Sequence, residues 1–197
     1  MNKNVKRLGV FALAGVLGLG VASTTISAAE PSKDTDVFYT TSSTNIDADG
    51  KVVMVVPAAV SLTKENKTQE FAVTMKTSDS TKKLPADFKA TVEVDSTNKG
   101  KLKKDAKEFG YKLFKGELNK GTEITLGSKQ TFHTFGVSGP DTAEVEQKAY
   151  VQVEDTVVNE LEKEQPGSQF KDTLTFKVTK LSGSGLNTSL PPVTVLP

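Results

Sequence analysis

The chain has no cysteine and no tryptophan, and its 197 residues include one histidine and one arginine. The absence of cysteine excludes disulfide scaffolds, zinc–thiolate sites and thiol nucleophiles. A single histidine excludes a metal site built from several histidines of one chain. The one arginine, Arg7, lies in a segment that we expect to be removed. The remaining chain then has no guanidinium for bidentate contacts with guanine or phosphate, which argues against a nucleic-acid partner.

The first 29 residues follow the order of a secretion signal. A basic start at residues 2–7 precedes an apolar stretch at residues 8–22, and Ser27-Ala28-Ala29 supplies the small residues of a cleavage point. The apolar stretch is short and contains Gly15, Gly18 and Gly20, which favours cleavage over a retained anchor. The sequence thus predicts a secreted, extracellular protein, free or associated with the cell surface, with no membrane span after cleavage. The mature chain keeps 22 basic and 24 acidic residues, a net charge of −2.

Most of the mature chain alternates apolar and polar side chains with a period of two, which places one set in a core and the other in water. The pattern is clearest at residues 170–180, where Leu174, Phe176 and Val178 alternate with lysines and threonines. The other apolar sets are Phe71, Val73 and Met75; Phe88, Ala90, Val92 and Val94; Phe109, Tyr111 and Leu113; and Val145, Ala149, Val151 and Val153. So many short alternating segments predict an all-β fold, an immunoglobulin-like antiparallel β-sandwich with one short helical connection at residues 155–165.

We divide the chain into four segments on composition. Residues 1–29 are the signal peptide, and residues 30–45 are an N-terminal leader with an edge strand at 37–41. Residues 46–180 form the β-sandwich domain, and residues 181–197 are a flexible tail of Gly, Ser and Pro. Within the domain, Pro57 interrupts an apolar run and predicts a strand that switches sheets there. The lysine-rich segment 99–107 is interpreted as a solvated loop or a short turn of helix.

Two stretches of the mature chain carry recognisable patterns. Residues 53–62 place valines before Pro57 and apolar residues after it, and residues 166–178 space Gly, an aromatic residue, Asp, Leu, Phe and Val in a fixed rhythm. Together they resemble β-sandwich modules of Gram-positive secreted and cell-surface proteins. The resemblance implies an extracellular immunoglobulin-like fold and no catalytic residue. Wall-binding relatives carry a Trp-x-Leu motif, and this chain has no tryptophan, so that mode of wall attachment is not implied.

Catalytic candidates are few. His133 lies in a strand-like aromatic segment, and the chain has no G-x-S-x-G elbow, so we favour a structural or surface role for this histidine over a triad. The 24 carboxylates leave a paired-acid hydrolase open, but no pair stands out. The sequence therefore predicts a protein that is not an enzyme.

One turn offers a pattern for metal binding. Asn45, Asp47 and Asp49, followed by Gly50, match the first half of a calcium loop, in which oxygens at alternate positions surround a glycine turn. The twelfth position is Val56, where such a loop requires a bidentate Glu, and the flanking residues indicate strands. We favour a hairpin turn, and weak calcium binding by these three residues is the alternative. No other cofactor is expected.

Three functions follow from these observations. The leading hypothesis is a binding, adhesion or structural module at a Gram-positive surface, with an extracellular protein or a cell-wall glycan as partner. The second is a subunit of a surface fibre or biofilm matrix that self-associates, in which residues 37–41 or 193–196 add a strand to a neighbouring sheet. The third is a secreted hydrolase with an unidentified site.

Overall fold

The computed structural model describes residues 22–28, 41–47, 49–139, 142–165 and 168–188. Over these ranges the chain folds into two curled sheets, mostly antiparallel, with one short helix. The predicted all-β antiparallel sandwich with one short helical connection is confirmed.

The first sheet takes strands from both ends of the described chain. Its central order is β11 (Gln130–Gly136), β6 (Lys89–Ser96), β13 (Phe170–Ser182), β1 (Ala22–Ala28) and β4 (Ala59–Leu62). A hairpin of β7 (Lys101–Lys104) and β8 (Lys107–Gly110) pairs with β13 through β7. The β1–β4 pairing is parallel, whereas β1 runs antiparallel to β13.

The second sheet has six strands. Their order is β10 (Thr122–Ile124), β9 (Lys112–Lys115), β12 (Glu144–Gln152), β5 (Thr68–Thr77), β3 (Val52–Pro57) and β2 (Thr41–Asn45). Each neighbouring pair in this sheet is antiparallel.

The core lies between the two sheets, where the alternating apolar sets meet. Phe176 of β13 contacts rings from both sheets edge to face: the ring centroid of Phe132 lies 5.1 Å away and that of Phe71, in the second sheet, 6.2 Å away. All three side chains are buried. Such T-shaped contacts add to the burial of apolar area, so Phe176 ties the two layers together.

The predicted change of sheet at Pro57 is confirmed. β3 belongs to the second sheet and β4 to the first, with only Ala58 between them. Proline has no N–H to donate to a ladder, so a strand can end there at little cost. Within β3 burial alternates: Val52 and Met54 face the core, while Val53 is half-buried, so the apolar run is buried more fully on one face than on the other.

The helix α1 (Asp155–Leu161) lies inside the segment predicted as helical. Val158 is its buried residue, and its N–H bonds to the Glu154 carbonyl, which begins the helix. The helix joins β12 to β13, the last two strands of the described residues.

The prediction for the lysine-rich segment 99–107 was wrong, because this segment enters the β7–β8 hairpin. Leu102 is fully buried and anchors the hairpin to the core. The flanking Lys101 and Lys103 both form ion pairs with Glu108 on the partner strand. Asp105 adopts a left-handed conformation (φ 55°) at the tip. Cross-strand charge pairs therefore offset the repulsion among the lysines of this hairpin.

Several segments at the chain ends join the sandwich. β2 lies in the segment assigned to the leader, and β1 lies in the segment assigned to the signal. At the other end, β13 continues to Ser182, Leu186 packs against the core, and Ser184 donates two hydrogen bonds to Asp87. Residues 37–40 and 193–196, predicted as strands, lie outside the described residues.

Candidate functional site

β1 fills a place between β13 and β4 in the first sheet. It pairs with β13 over seven residues, from Ala22 opposite Phe176 to Ala28 opposite Phe170. It pairs with β4 over four residues, from Thr25 beside Ala59 to Ala28 beside Leu62. The backbone of β1 is therefore the only bridge in the described sheet between these two strands.

One face of the β1 position lies over the core. Positions 22, 24, 26 and 28 are in register with Phe176, Leu174, Asp172 and Phe170, and all four of these β13 side chains are buried. Directly opposed residues in an antiparallel pair share a face of the sheet. The alternate positions of β1 consequently lie on the core face.

A buried carboxylate lies next to this strand position. Asp172 of β13 is 1% exposed. Its Oδ2 accepts hydrogen bonds from Ser96 Oγ (2.5 Å) and Tyr111 Oη (2.6 Å), and its Oδ1 accepts bonds from the backbone N–H groups of Asn98 (2.9 Å) and Thr173 (2.7 Å). Four donors from the chain itself thus offset the desolvation of this charge.

The turn after β6 completes this network. Ser96 Oγ also accepts a hydrogen bond from the Gly100 N–H (2.7 Å). Gly100 has φ +76°, and a Cβ there would lie 3.1 Å from Leu126 Cβ, so the turn needs glycine on both grounds. Asp172 therefore organises the junction of β6, the 96–100 turn and β13.

No motif in the sequence marks Asp172 as a buried polar group. A signal was available: Phe170, Leu174, Phe176 and Val178 occupy alternate inward positions, and Asp172 is the one charged residue in that series. Tyr111 has the same property of lying on an inward face while needing a partner for its hydroxyl.

The Tyr111 phenol is held in its neutral form. Burial raises the pKa of Tyr111 far above its ordinary value, and the hydrogen bond to the negative Asp172 carboxylate raises that pKa further. A phenolate here would be desolvated and would face a like charge at 2.6 Å. The pair therefore works as a fixed donor and acceptor.

The predicted calcium-loop residues lie in the turn between β2 and β3. Asp47 is 2% exposed; its Oδ1 accepts a hydrogen bond from the Val52 N–H (2.9 Å), and its Oδ2 is buried with no hydrogen-bond partner among the described residues. The Gly50 N–H bonds to the Asp47 carbonyl (3.1 Å), and Gly50 has φ +67°. The side chain of Asn45 borders Gly50. The segment thus forms a hairpin turn.

Asp49, the third predicted calcium ligand, binds a lysine of its own chain. Its carboxylate pairs with Lys51 (2.9 Å) and accepts a hydrogen bond from Asn187 (3.3 Å), and these contacts lower the pKa of Asp49. Lys51 Nζ also donates to the Gly185 carbonyl (2.8 Å). An ammonium group therefore already neutralises Asp49. Across the described ranges, no three or more His, Asp or Glu side chains converge as a metal site.

His133 lies in β11, at the end of the first sheet. The imidazole is half-buried and meets the Phe135 ring edge to face, with centroids 4.7 Å apart. Burial lowers the pKa of His133, and the positive charge of Lys115 lowers it further. In the part of the chain that the structure describes, no hydrogen bond joins His133 to a Ser, Asp or Glu.

None of the helices in the described ranges has the length and apolar character needed to cross a membrane. Comparison of the chain with models of protein families, with curated proteins and with solved structures found no match.

Proposed function

We propose that this protein is an exported module that is not an enzyme and that binds or builds structures at a Gram-positive cell surface. Its partner on this proposal is an extracellular protein or a cell-wall glycan. The predicted secretion signal and the resemblance to surface β-sandwich modules support the location.

The polar interior of the sandwich carries the proposal. Asp172 is the most deeply buried charged group of the described residues, and its four hydrogen bonds all come from its own chain. A catalytic acid or base must reach a substrate proton. The Asp172 carboxylate instead accepts hydrogen bonds that hold β13 to β6 and to the turn after it. On the outside, the carboxylates of Glu154 and Glu164 form ion pairs with Lys112 and Lys107, an arrangement typical of a solvated surface.

The location is tested by expressing the full chain in a Gram-positive host and sequencing the N-terminus of the protein in the medium and on the cells. We expect the exported protein to begin at Glu30. Retention of the whole chain inside the cell would overturn the proposal.

The activity is tested by sedimenting the exported protein with isolated cell walls and with immobilised extracellular proteins. We expect saturable binding to one of these, with no release of sugar or peptide ends, and we expect His133→Gln to bind as the unaltered chain does. Release of new ends that His133→Gln abolishes would establish the hydrolase alternative instead.

A second candidate, a subunit that assembles by strand addition, is favoured by one observation. A strand of the sandwich, β1, consists entirely of residues that the predicted cleavage after Ala29 removes. Processing would then leave β13 and β4 without the strand between them.

A further inference from the structure

We propose that, after processing, residues 33–39 of a second copy of this chain occupy the place of β1 between β13 and β4. The inference rests on the assembly candidate above and names the partner and the segment. It starts from the two edges that removal of β1 would uncover, Phe170–Phe176 and Ala59–Leu62. Unpaired edges of this kind bind an added strand through backbone hydrogen bonds.

The vacated place sets a requirement on its occupant. β1 pairs on both sides, so a replacement needs about seven consecutive residues with N–H groups to donate, which excludes proline. The leader is free of proline from Ser32 to the start of β2 at Thr41. The C-terminal segment has prolines at 191, 192 and 197, which leave only residues 193–196 between them. The leader meets the requirement and the C-terminal segment does not.

The leader matches β1 at its two central core-face positions, while Lys33 falls at the end position opposite Phe176. In β1, Thr24 and Ile26 fall at two successive core-face positions, and the leader repeats this pattern as Thr35 and Val37. Aligning these pairs places residues 33, 35, 37 and 39 at the core-face positions 22, 24, 26 and 28. Tyr39 would then oppose Phe170, in a place where β1 has only an alanine.

Charge on the outer face supports the same register. In this alignment Asp36 opposes Thr173 and Asp34 opposes Thr175 on β13. Lys171 and Lys177 are exposed and lie two residues to either side of this threonine pair, so each aspartate has a lysine as a diagonal neighbour. Diagonal neighbours across an antiparallel pair are within reach of long side chains, and opposite charges there are favourable.

Chain geometry directs the donor segment to a second copy. In this register Tyr39 lies beside Leu62, whereas Thr41 of the same chain pairs with Pro57, which comes before β4 begins. The length of β4 alone is about 10 Å at the usual rise per residue. Two residues of extended chain reach about 7 Å. A chain therefore cannot insert its own leader in this register and still form β2.

The test begins with light scattering of the processed protein recovered from the medium, over a wide concentration range. We expect oligomers whose mass rises with concentration. Val37→Pro removes an N–H from the donor and should leave monomers throughout, whereas the matched change Val195→Pro in the C-terminal segment should assemble as the unaltered protein does. Monomers at every concentration, or assembly lost with Val195→Pro and kept with Val37→Pro, would overturn the proposal.

The register is tested with cysteines, since the chain has none of its own. One preparation carries Asp36→Cys and another carries Thr173→Cys, each with a different tag, so that any disulfide joins two copies. Directly opposed residues of an antiparallel pair lie within disulfide distance, so we expect a cross-link in at least about fivefold higher yield than for Asp36→Cys with Thr175→Cys.

Equal yields for the two pairs would overturn the register. These outcomes are distinct from failure of the proposed function: a protein that is exported from Glu30 and binds its partner as a strict monomer would contradict only the strand donation.

Discussion

At the scale of single residues, the Tyr111–Asp172 pair makes the sharpest claim about stability. Tyr111→Phe removes one of two donors to Asp172 Oδ2 and leaves the ring in place. Because hydrogen bonds to charged groups contribute about 1.5–3 kcal/mol, we expect the free energy of unfolding to fall by that amount in urea titrations. Tyr150→Phe is the matched control: Tyr150 is also buried and stacks on Phe114, and its change should alter stability by less than about 0.5 kcal/mol. Equal effects of the two changes would contradict a special role for the pair.

The same pair predicts a pH dependence. The pKa of Tyr111 is raised in the folded state, so its contribution is fully present below the unfolded pKa of about 10 and is lost as pH rises above it. The loss has a limiting slope of about 1.4 kcal/mol per pH unit for one group. We expect urea midpoints to fall as pH rises above about 10, and to fall less steeply in Tyr111→Phe. The two proteins differ only at Tyr111, so the difference between their curves isolates this residue, and parallel curves would contradict the shift.

Asp47 separates the structural from the metal-binding interpretation of its turn. Asp47→Ala leaves the buried Val52 N–H without its acceptor, and should lower the free energy of unfolding by about 1–2 kcal/mol. Asp47→Asn keeps that acceptor and removes a buried charge whose second oxygen is unpartnered, so stability should hold or rise. We expect the Tm of the unaltered chain to be the same with and without millimolar calcium. A calcium-dependent rise that Asp47→Asn abolishes would establish the calcium loop.

These residues show what the sequence can predict about a site. Asn45, Asp47 and Asp49 form a local motif at the end of β2 and in the turn that follows, yet Asp49 pairs with Lys51, whose ammonium also donates to the Gly185 carbonyl from far along the chain. The Asp172 network depends on contacts between residues more than 60 positions apart. Spacing along the chain carries no information about such contacts, so alternation indicates only that Asp172 faces inward.

At the scale of elements, the connection between β9 and β10 depends on a close approach. A Cβ on Gly121 would lie 2.8 Å from Tyr150 Cε1 and 3.0 Å from the Lys115 carbonyl oxygen. Gly121→Ala must therefore move the Tyr150–Phe114 stack or the strand itself, and we expect the free energy of unfolding to fall by about 1–3 kcal/mol. Gly127→Ala, where a Cβ meets nothing within 4 Å, is the control. Thermal unfolding of the two variants measures the difference, and matching Tm values would contradict the argument.

The elements also differ in how well their sequences predict them. Strands such as β5, with Phe71, Val73 and Met75 on one face, follow from period-two alternation because one side is buried and the other is not. The β7–β8 hairpin does not follow from alternation, because Leu102 is its one fully buried residue. The ion pairs of its lysines with Glu108 form only when the two strands meet. The sequence did not predict β1, because a secretion signal accounts for the same residues.

At the scale of the whole molecule, the two sheets differ in their dependence on the N-terminal segment. The second sheet uses strands from Thr41 to Gln152, whereas the first needs β1 to connect β4 with the remaining strands. Phe170 and Leu174 contribute core side chains beside that strand position, and Leu62 of β4 is equally buried. Loss of β1 would therefore uncover apolar core as well as backbone edges, which makes a bare groove costly and its refilling favourable.

The dependence of the first sheet on β1 predicts a difference in stability between chains with and without that strand. A chain of residues 22–197 retains β1, whereas the processed chain of residues 30–197 does not. At low concentration we expect the longer chain to melt about 4–8 °C higher, which corresponds to about 2 kcal/mol in a domain of this size. The difference should shrink as concentration rises, because donated strands then fill the place of β1 in the processed chain. Ile26→Pro in the longer chain removes an N–H from β1 and should lower its Tm to that of the dilute processed chain. Equal Tm values for the two chains at low concentration would mean that β1 adds nothing to the sandwich, and the reason for strand donation would disappear with it.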